Sequence, residues 1–220
     1  MEILRKDYLE TLYAAKDMPS TVKVLTGMRR TGKTTILLQY LDLLRSNGVP
    51  DEMIFHMNMD LAVDESSLEL VRSKLDPVLE RKGMHYVLID EIQEIDGWER
   101  LVAMMVARMD CDVYITGSSS KMLSSELSTK LSGRYIEIDI LPLSFREYLE
   151  LHPGDKEQRL ADYMRCGPLP MVDPDRGGDI CAYQSEGVFN TVLMKDVLSR
   201  ISGNSRRLTS ICRFLYSNIG

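Results

Sequence analysis

The stretch Gly27-Met28-Arg29-Arg30-Thr31-Gly32-Lys33-Thr34 has the residue types and the spacing, G-x-x-x-x-G-K-[ST], that hold a polyphosphate. Its two glycines let the backbone wrap closely, so that successive N–H groups point inward at anionic oxygens. Lys33 then reaches the β- and γ-phosphates of a nucleoside triphosphate, and Thr34, followed by Thr35, offers its hydroxyl to a magnesium ion. Arg29 and Arg30 are more basic than the pattern requires, and they either steer the triphosphate or pair with nearby acids. A second constellation, Tyr86-Val87-Leu88-Ile89-Asp90-Glu91, is an apolar run that ends in two adjacent carboxylates, as a Walker B strand does. Asp90 suits hard Mg²⁺, which takes oxygen ligands and keeps several waters. Glu91 is turned the other way by the alternation of a strand and is the candidate general base for an attacking water. The loop alone is also compatible with phosphate transfer to a small molecule, but the paired carboxylates favour hydrolysis.

Such residues meet only if the chain folds as a parallel sheet with its ligand at the carboxyl ends of the strands. The run Val22 to Thr26 feeds the loop as a first strand. The helix after the loop, rich in Ile36, Leu37, Leu38, Leu41 and Leu44, presents its positive N-terminal end to the phosphates and runs to about Ser46, where Asn47-Gly48-Val49-Pro50 stops it. Met53 to Met59 reads as the next strand. Leu68, Val71, Leu75 and Leu79 mark a helix that Pro77 bends. Asp96, with Glu99 three residues on, reads as the N-cap of a helix carrying Trp98, Leu101, Val102, Met105 and Met109 inward. Strands follow at Asp112 to Gly117 and Tyr135 to Ile140, and an amphipathic helix, Ile3 to Ala15, precedes the sheet until Pro19 and Ser20 break it. Beyond Leu141-Pro142-Leu143 only helices are read: Phe145 to Leu151 behind a Ser144/Glu147 capping box, Lys156 to Cys166, Cys181 to Ile201 and Leu208 to Asn218. The expectation is an α/β core over residues 1–143 and a small helical lid over residues 144–220, closing on the nucleotide.

A hydroxyl at the tip of the fourth strand could sense the γ-phosphate. Thr116, Ser118 and Ser119 are the candidates, with the latter two preferred, and the alternative is a simple N-cap. Arg134, at the start of the fifth strand, is either a surface ion-pair partner or an arginine finger supplied in cis or by a neighbouring subunit.

Composition bounds the rest. With 220 residues and 44% hydrophobic content the chain can bury a full core. No apolar run approaches the roughly 20 residues of a membrane span, and the charged start lacks the apolar centre of a signal peptide, so the expected location is the cytoplasm. Four scattered cysteines, Cys111, Cys166, Cys181 and Cys212, form no metal-ligand spacing and read as reduced side chains. The net charge of −6 argues against a broad nucleic-acid surface. From Lys195 onward, however, five cations (Lys195, Arg200, Arg206, Arg207, Arg213) face Asp196 alone. That basic segment meets DNA, a neighbouring subunit or the nucleotide, or it is a solvated helix face.

The chain resembles the bacterial and archaeal AAA-type ATPases that carry a C-terminal domain of uncharacterised function. The residues that carry the likeness are the loop through Thr35, Leu88-Ile89-Asp90-Glu91-Ile92-Gln93, Gly97-Trp98-Glu99, Ile115-Thr116-Gly117-Ser118-Ser119, Leu131-Ser132-Gly133-Arg134-Tyr135 and Leu141-Pro142-Leu143-Ser144-Phe145. The resemblance implies a P-loop NTPase sheet in AAA-like order 5-1-4-3-2 and ATP with Mg²⁺ as cofactors. Family members usually continue into a C-terminal half beyond this chain, the module that chooses a partner; the partners expected are a second copy of the chain in a homo-oligomer, or a protein or DNA met through the basic segment or that half. No Asn-Lys-x-Asp guanine-reading element contradicts ATP. Where such proteins often show a Gly-Gly-x-Pro turn, this chain has Cys166-Gly167-Pro168-Leu169-Pro170, which leaves any nucleotide-sensing role of that turn open. Two other readings stand beside hydrolysis: an ATP-gated switch with little turnover, and a DNA-binding module centred on the basic tail.

Overall fold

The apolar runs form the strands β1 (Val22–Thr26), β2 (Ile54–Asn58), β3 (His85–Asp90), β4 (Cys111–Thr116) and β5 (Tyr135–Asp139). The computed structural model describes residues 3–61, 68–118, 131, 133–192, 210, 211, 214 and 218. Among these the strands make one parallel sheet in the order β2-β3-β4-β1-β5, the order 5-1-4-3-2 read from the other edge. Helices cover both faces: α1 (Lys6–Ala14) ahead of the sheet, and the crossover helices α2 (Lys33–Ser46), α3 (Leu68–Leu79) and α4 (Trp98–Val106). α5 (Phe145–Leu151), α6 (Lys156–Cys166) and α7 (Gly178–Val192) follow the sheet.

Strand alternation divides the interior in two. Val22, Val24, Val87, Ile89, Val113 and Ile115 turn to one side and pack with α3 and α4. Leu25, Leu88, Tyr114 and Ile138 turn to the other and pack with α1 and α2. β1, β3 and β4 are buried at every position, which is why they read as continuous apolar runs. A smaller cluster of Leu143, Tyr148 and Leu151 sits under α5, and Ile3 from the N-terminal segment packs against it. The Ser144/Glu147 capping box is present.

Four local expectations are corrected. α1 begins at Lys6 rather than Ile3, because the preceding residues hydrogen-bond elsewhere: Gln39 Nε2 donates to the Ile3 carbonyl at 2.7 Å. Asp96 does not cap α4; Gly97 does, in a left-handed conformation with φ 75°, while the Trp98 N–H turns back to the Ile95 carbonyl. Met109 is 72% exposed, since α4 ends at Val106 and the chain has already turned toward β4. Cys166 and Cys181 are joined as a disulfide, their Cα atoms 5.2 Å apart, so these two are not reduced. The turn after α6 brings residues fifteen apart face to face, a contact that spacing along the chain does not reveal. The expected helix from Cys181 is α7, which starts at Gly178; residues 193–201 and most of 208–218 lie outside the described residues.

The N-terminal end of the sheet is held by charge. Lys23 and Asp112, both fully buried, form an ion pair on β1 and β4. Asp112 also accepts from the Tyr114 hydroxyl and from the Asp17 N–H, each at 2.8 Å, and Tyr114 meets the Tyr40 hydroxyl at 2.7 Å. Burial pulls the Lys23 pKa below its usual value, against the opposing pull of Asp112. Replacing the cation strands a buried carboxylate. Lys23→Met is therefore expected to cost about 3–5 kcal/mol of stability in urea unfolding, against about 1 kcal/mol or less for an ordinary surface pair.

Candidate functional site

Because the strands are parallel, the carboxyl ends of β1, β3 and β4 lie side by side, with Leu25 level with Thr116 and Ile89 level with Ile115. The loop from Gly27 to Gly32 rises from β1 into α2. Gly27 has φ 141°, and a Cβ there would meet the Ile140 carbonyl oxygen at 2.5 Å, so the first glycine of the motif is required by space as well as by conformation. Gly32, at φ 97°, caps α2 in the left-handed region, and nothing lies within 4 Å of where its Cβ would stand. Arg30 is also left-handed at φ 69°. Lys33 is buried, and its ammonium donates to the carbonyls of Gly27 and Met28, each at 3.0 Å. Thr31 closes the loop on itself with a 2.9 Å bond to the Met28 carbonyl.

Asp90 ends β3 with no solvent exposure. One carboxylate oxygen accepts from the Thr34 hydroxyl at 2.7 Å and from the Asn58 side-chain amide at 2.8 Å; the other accepts from the Thr116 hydroxyl. Glu91 adopts a left-handed conformation at φ 54°, which breaks the strand and turns its side chain into the cleft. Its N–H donates to Thr116 Oγ1 at 2.9 Å, and its carboxylate accepts from Gln93. Thr116 thus links the two carboxylate residues through one hydroxyl.

Above the loop lies a cavity of about 450 Å³. Its polar wall is the loop from Arg29 to Thr35 with Asp60 and Glu91; its apolar wall is Ile3, Leu143, Leu151, Pro170 and Met171. Pro170 ends the Cys166-Gly167-Pro168-Leu169-Pro170 turn after α6, Met171 follows it, and Thr191 of α7 adds to the wall. The loop residues, Glu91 and, through Thr34, Asp90 are therefore brought together as expected. Arg29 is buried, while Arg30 is exposed at the cavity edge. Ser118 is buried beyond the end of β4 and does not line the cavity. Ser119 lies outside the described residues, as do Lys195, Arg200, Arg206, Arg207 and Arg213 of the basic tail. Arg134 is exposed and precedes β5, where its carbonyl accepts from the Val22 N–H at the start of β1. The full length of β1 separates it from the loop, so an in-chain role for Arg134 is not met by this placement.

Two contributors, Asn58 and Gln93, carry no role in the sequence reading, and a third, Thr116, ranks there below its neighbours. Asn58 carries a signal in retrospect, as the last residue of β2 level with Asp90. Thr116 ranks below its serine neighbours in the sequence, because chain position says nothing of which hydroxyl faces β3. Gln93 is part of the motif after Asp90 but shows no partner in the sequence.

A model of the AAA domain matches residues 19–149. The chain belongs to the AAA domain family. An uncharacterised protein of Haemophilus influenzae is 34% identical over 99% of the AAA chain and 56% of its own length. One from Methanocaldococcus jannaschii is 28% identical over 93% of this chain and 48% of its own. The chain spans about half the length of these relatives. Among solved structures, the ADP complex of Hsp104 from S. cerevisiae matches with a TM-score of 0.58 at 16% identity, covering 97% of this chain and 38% of that one. AMPPCP-bound DnaA from Aquifex aeolicus matches with 0.54 at 14% identity, covering 88% and 69%. These likenesses give the fold, that of AAA-type P-loop ATPases. Among the described residues no helix is long and apolar enough to cross a membrane.

The Thr116 bridge yields a prediction about stability. Thr116→Val keeps the shape but leaves the Glu91 N–H unpaired in the interior, which is expected to cost about 1–3 kcal/mol in thermal unfolding, with Thr116→Ser restoring most of it.

Proposed function

We propose that the chain is an ATPase module in which residues 1–143 bind and hydrolyse Mg-ATP and residues 144–220 form a lid whose seating follows the nucleotide. The observation that carries this reading is the convergence of Lys33, Thr34, Asp90 and Glu91 on one cavity, or beside it, at the carboxyl edge of a parallel sheet. In this reading the loop N–H groups from Met28 to Gly32 take the phosphate oxygens at the N-terminus of α2. Lys33 leaves the carbonyls of Gly27 and Met28 for the β- and γ-phosphates, exchanging two neutral acceptors for anionic ones. The apolar wall of Ile3, Leu143, Leu151, Pro170 and Met171 receives the base. Two of the structural relatives, Hsp104 in its ADP complex and AMPPCP-bound DnaA, hold adenine nucleotides, which supports ATP as the ligand.

Thr34 and Asp90 offer hard oxygen donors 2.7 Å apart, a set that suits Mg²⁺. When bound there the ion would neutralise charge on the phosphates. Glu91 orients the attacking water and takes its proton, and Gln93 holds the carboxylate in place until then. Thr116, ahead of Ser118 and Ser119, fixes the relation of Asp90 to Glu91. Arg134 serves the site of a neighbouring copy, so that turnover depends on assembly.

One observation favours a second reading, an ATP-gated switch: the Gln93 amide already engages the carboxylate that must act as base. Phosphate release separates the two. Hydrolysis predicts that Glu91→Gln lowers release from Mg-ATP by about 10²–10⁴-fold while ATP still binds, and that Lys33→Ala loses binding. Tight ATP binding without release in the unaltered chain, at every protein concentration, contradicts hydrolysis and leaves the switch.

A further inference from the structure

Arg5 is 4% exposed although it lies only a few residues from the N-terminus, and it touches three parts of the protein at once. Nη1 donates to the Thr31 carbonyl in the loop at 3.2 Å and to the Leu141 carbonyl, on the segment leaving the sheet, at 2.9 Å. Nε and Nη2 donate to the two carboxylate oxygens of Glu147 at 2.7 and 3.1 Å. This is the bidentate fork that guanidinium offers and ammonium does not. Glu147 is in turn the capping residue of α5, accepting from the Ser144 N–H and hydroxyl at 2.8 Å each. Burial raises the pKa of Glu147, but the bonds from Arg5 and Ser144 outweigh it and hold the carboxyl below its usual range. The segment is tethered further by Tyr8, which stacks under the Arg5 guanidinium and accepts from the Leu141 N–H.

We propose that Arg5 is a positioning residue that couples occupancy of the phosphate loop to the seating of the helices beyond Leu143. This rests on the ATP reading of the cavity. The physical link is a single peptide unit. The Thr31 carbonyl and the Gly32 N–H share one plane and, the peptide being trans, point in opposite directions. An anion on the Gly32 N–H polarises that unit and strengthens the Thr31 carbonyl as an acceptor for Arg5; Arg5 on the carbonyl strengthens the N–H as a donor to the anion. The two bonds are therefore cooperative. Whatever tightens Arg5 on Thr31 also fixes Glu147, because both partners share one rigid guanidinium, and Glu147 carries the N-terminus of α5. The coupling is reciprocal: seating of α5 must favour the anion as much as the anion favours seating.

The test is hydrogen exchange of the amides of residues 145–166 in the whole chain, with and without saturating Mg-ATP, for the unaltered protein, Arg5→Gln and Glu147→Gln. Gln still serves as a capping-box residue, so Glu147→Gln keeps the start of α5 while losing the charged fork. Nucleotide is expected to slow exchange about fivefold or more in the unaltered chain and less than about twofold in either variant, with the double variant no worse than the single ones. Equal slowing in all of them at matched saturation overturns the joint, as does no slowing in the unaltered chain with ATP bound. Failure of the unaltered chain to bind ATP overturns the nucleotide reading itself, and the joint with it.

Discussion

A carboxylate with no exposure to water has to be matched by donors or it opposes folding by several kcal/mol. Asp90 is in that position, and its three donors come from three different elements: Thr34 from α2, Asn58 from β2 and Thr116 from β4. One buried charge thereby fixes the helix after the phosphate loop and both neighbours of the central strand. A slip of β3 by one residue would turn Asp90 to the other face and put Ile89 in its place, leaving three donors unmatched and an apolar side chain misplaced. The register that packs Val87 and Ile89 beneath α3 and α4 is thus the register that brings Asp90 to Thr34 beside the cleft.

The sheet is pinned at both ends, with apolar packing between. At the far end Lys23 and Asp112 join β1 to β4, and the tyrosine hydroxyls extend that network into α2. Buried polar groups at each end specify which strands are neighbours, while the apolar residues between them supply most of the burial. Relations beyond the sheet are looser. The helices after Leu143 have their own small clusters, and Arg5 with Glu147 gives them a polar tie to the loop.

The loop and the Asp90 strand were legible because each is contiguous and its chemistry lies in consecutive residues. The strand order came from the family resemblance that these motifs carry, and β1, β3 and β4 announced themselves by burial on both faces. What stayed hidden depends on contacts between distant segments. Thr116 and Ser118 are two residues apart and both hydroxyl-bearing, and only the pairing of β4 with β3 decides which one reaches Asp90. Arg5 looks like one more charge on an amphipathic start, since Glu147 lies 142 positions away. Cys166 and Cys181 show no spacing signature, and the turn that joins them is built by Gly167 and Pro174 rather than by either cysteine. Asp96 failed as a cap for a local reason: the Ile95 carbonyl already holds the Trp98 N–H, and Gly97 can adopt the conformation that Asp96 would resist.

If Asp90 holds Mg²⁺ as proposed, the donors of its hydrogen-bond web would give way to the ion when nucleotide binds. Titration calorimetry of ATP with and without Mg²⁺, in the unaltered chain and in Asp90→Asn, tests that directly. Mg²⁺ is expected to tighten ATP binding in the unaltered chain and to have little effect in Asp90→Asn, where Thr34 and Asn58 keep a neutral acceptor of the same shape. The same dependence on Mg²⁺ in both proteins would contradict it.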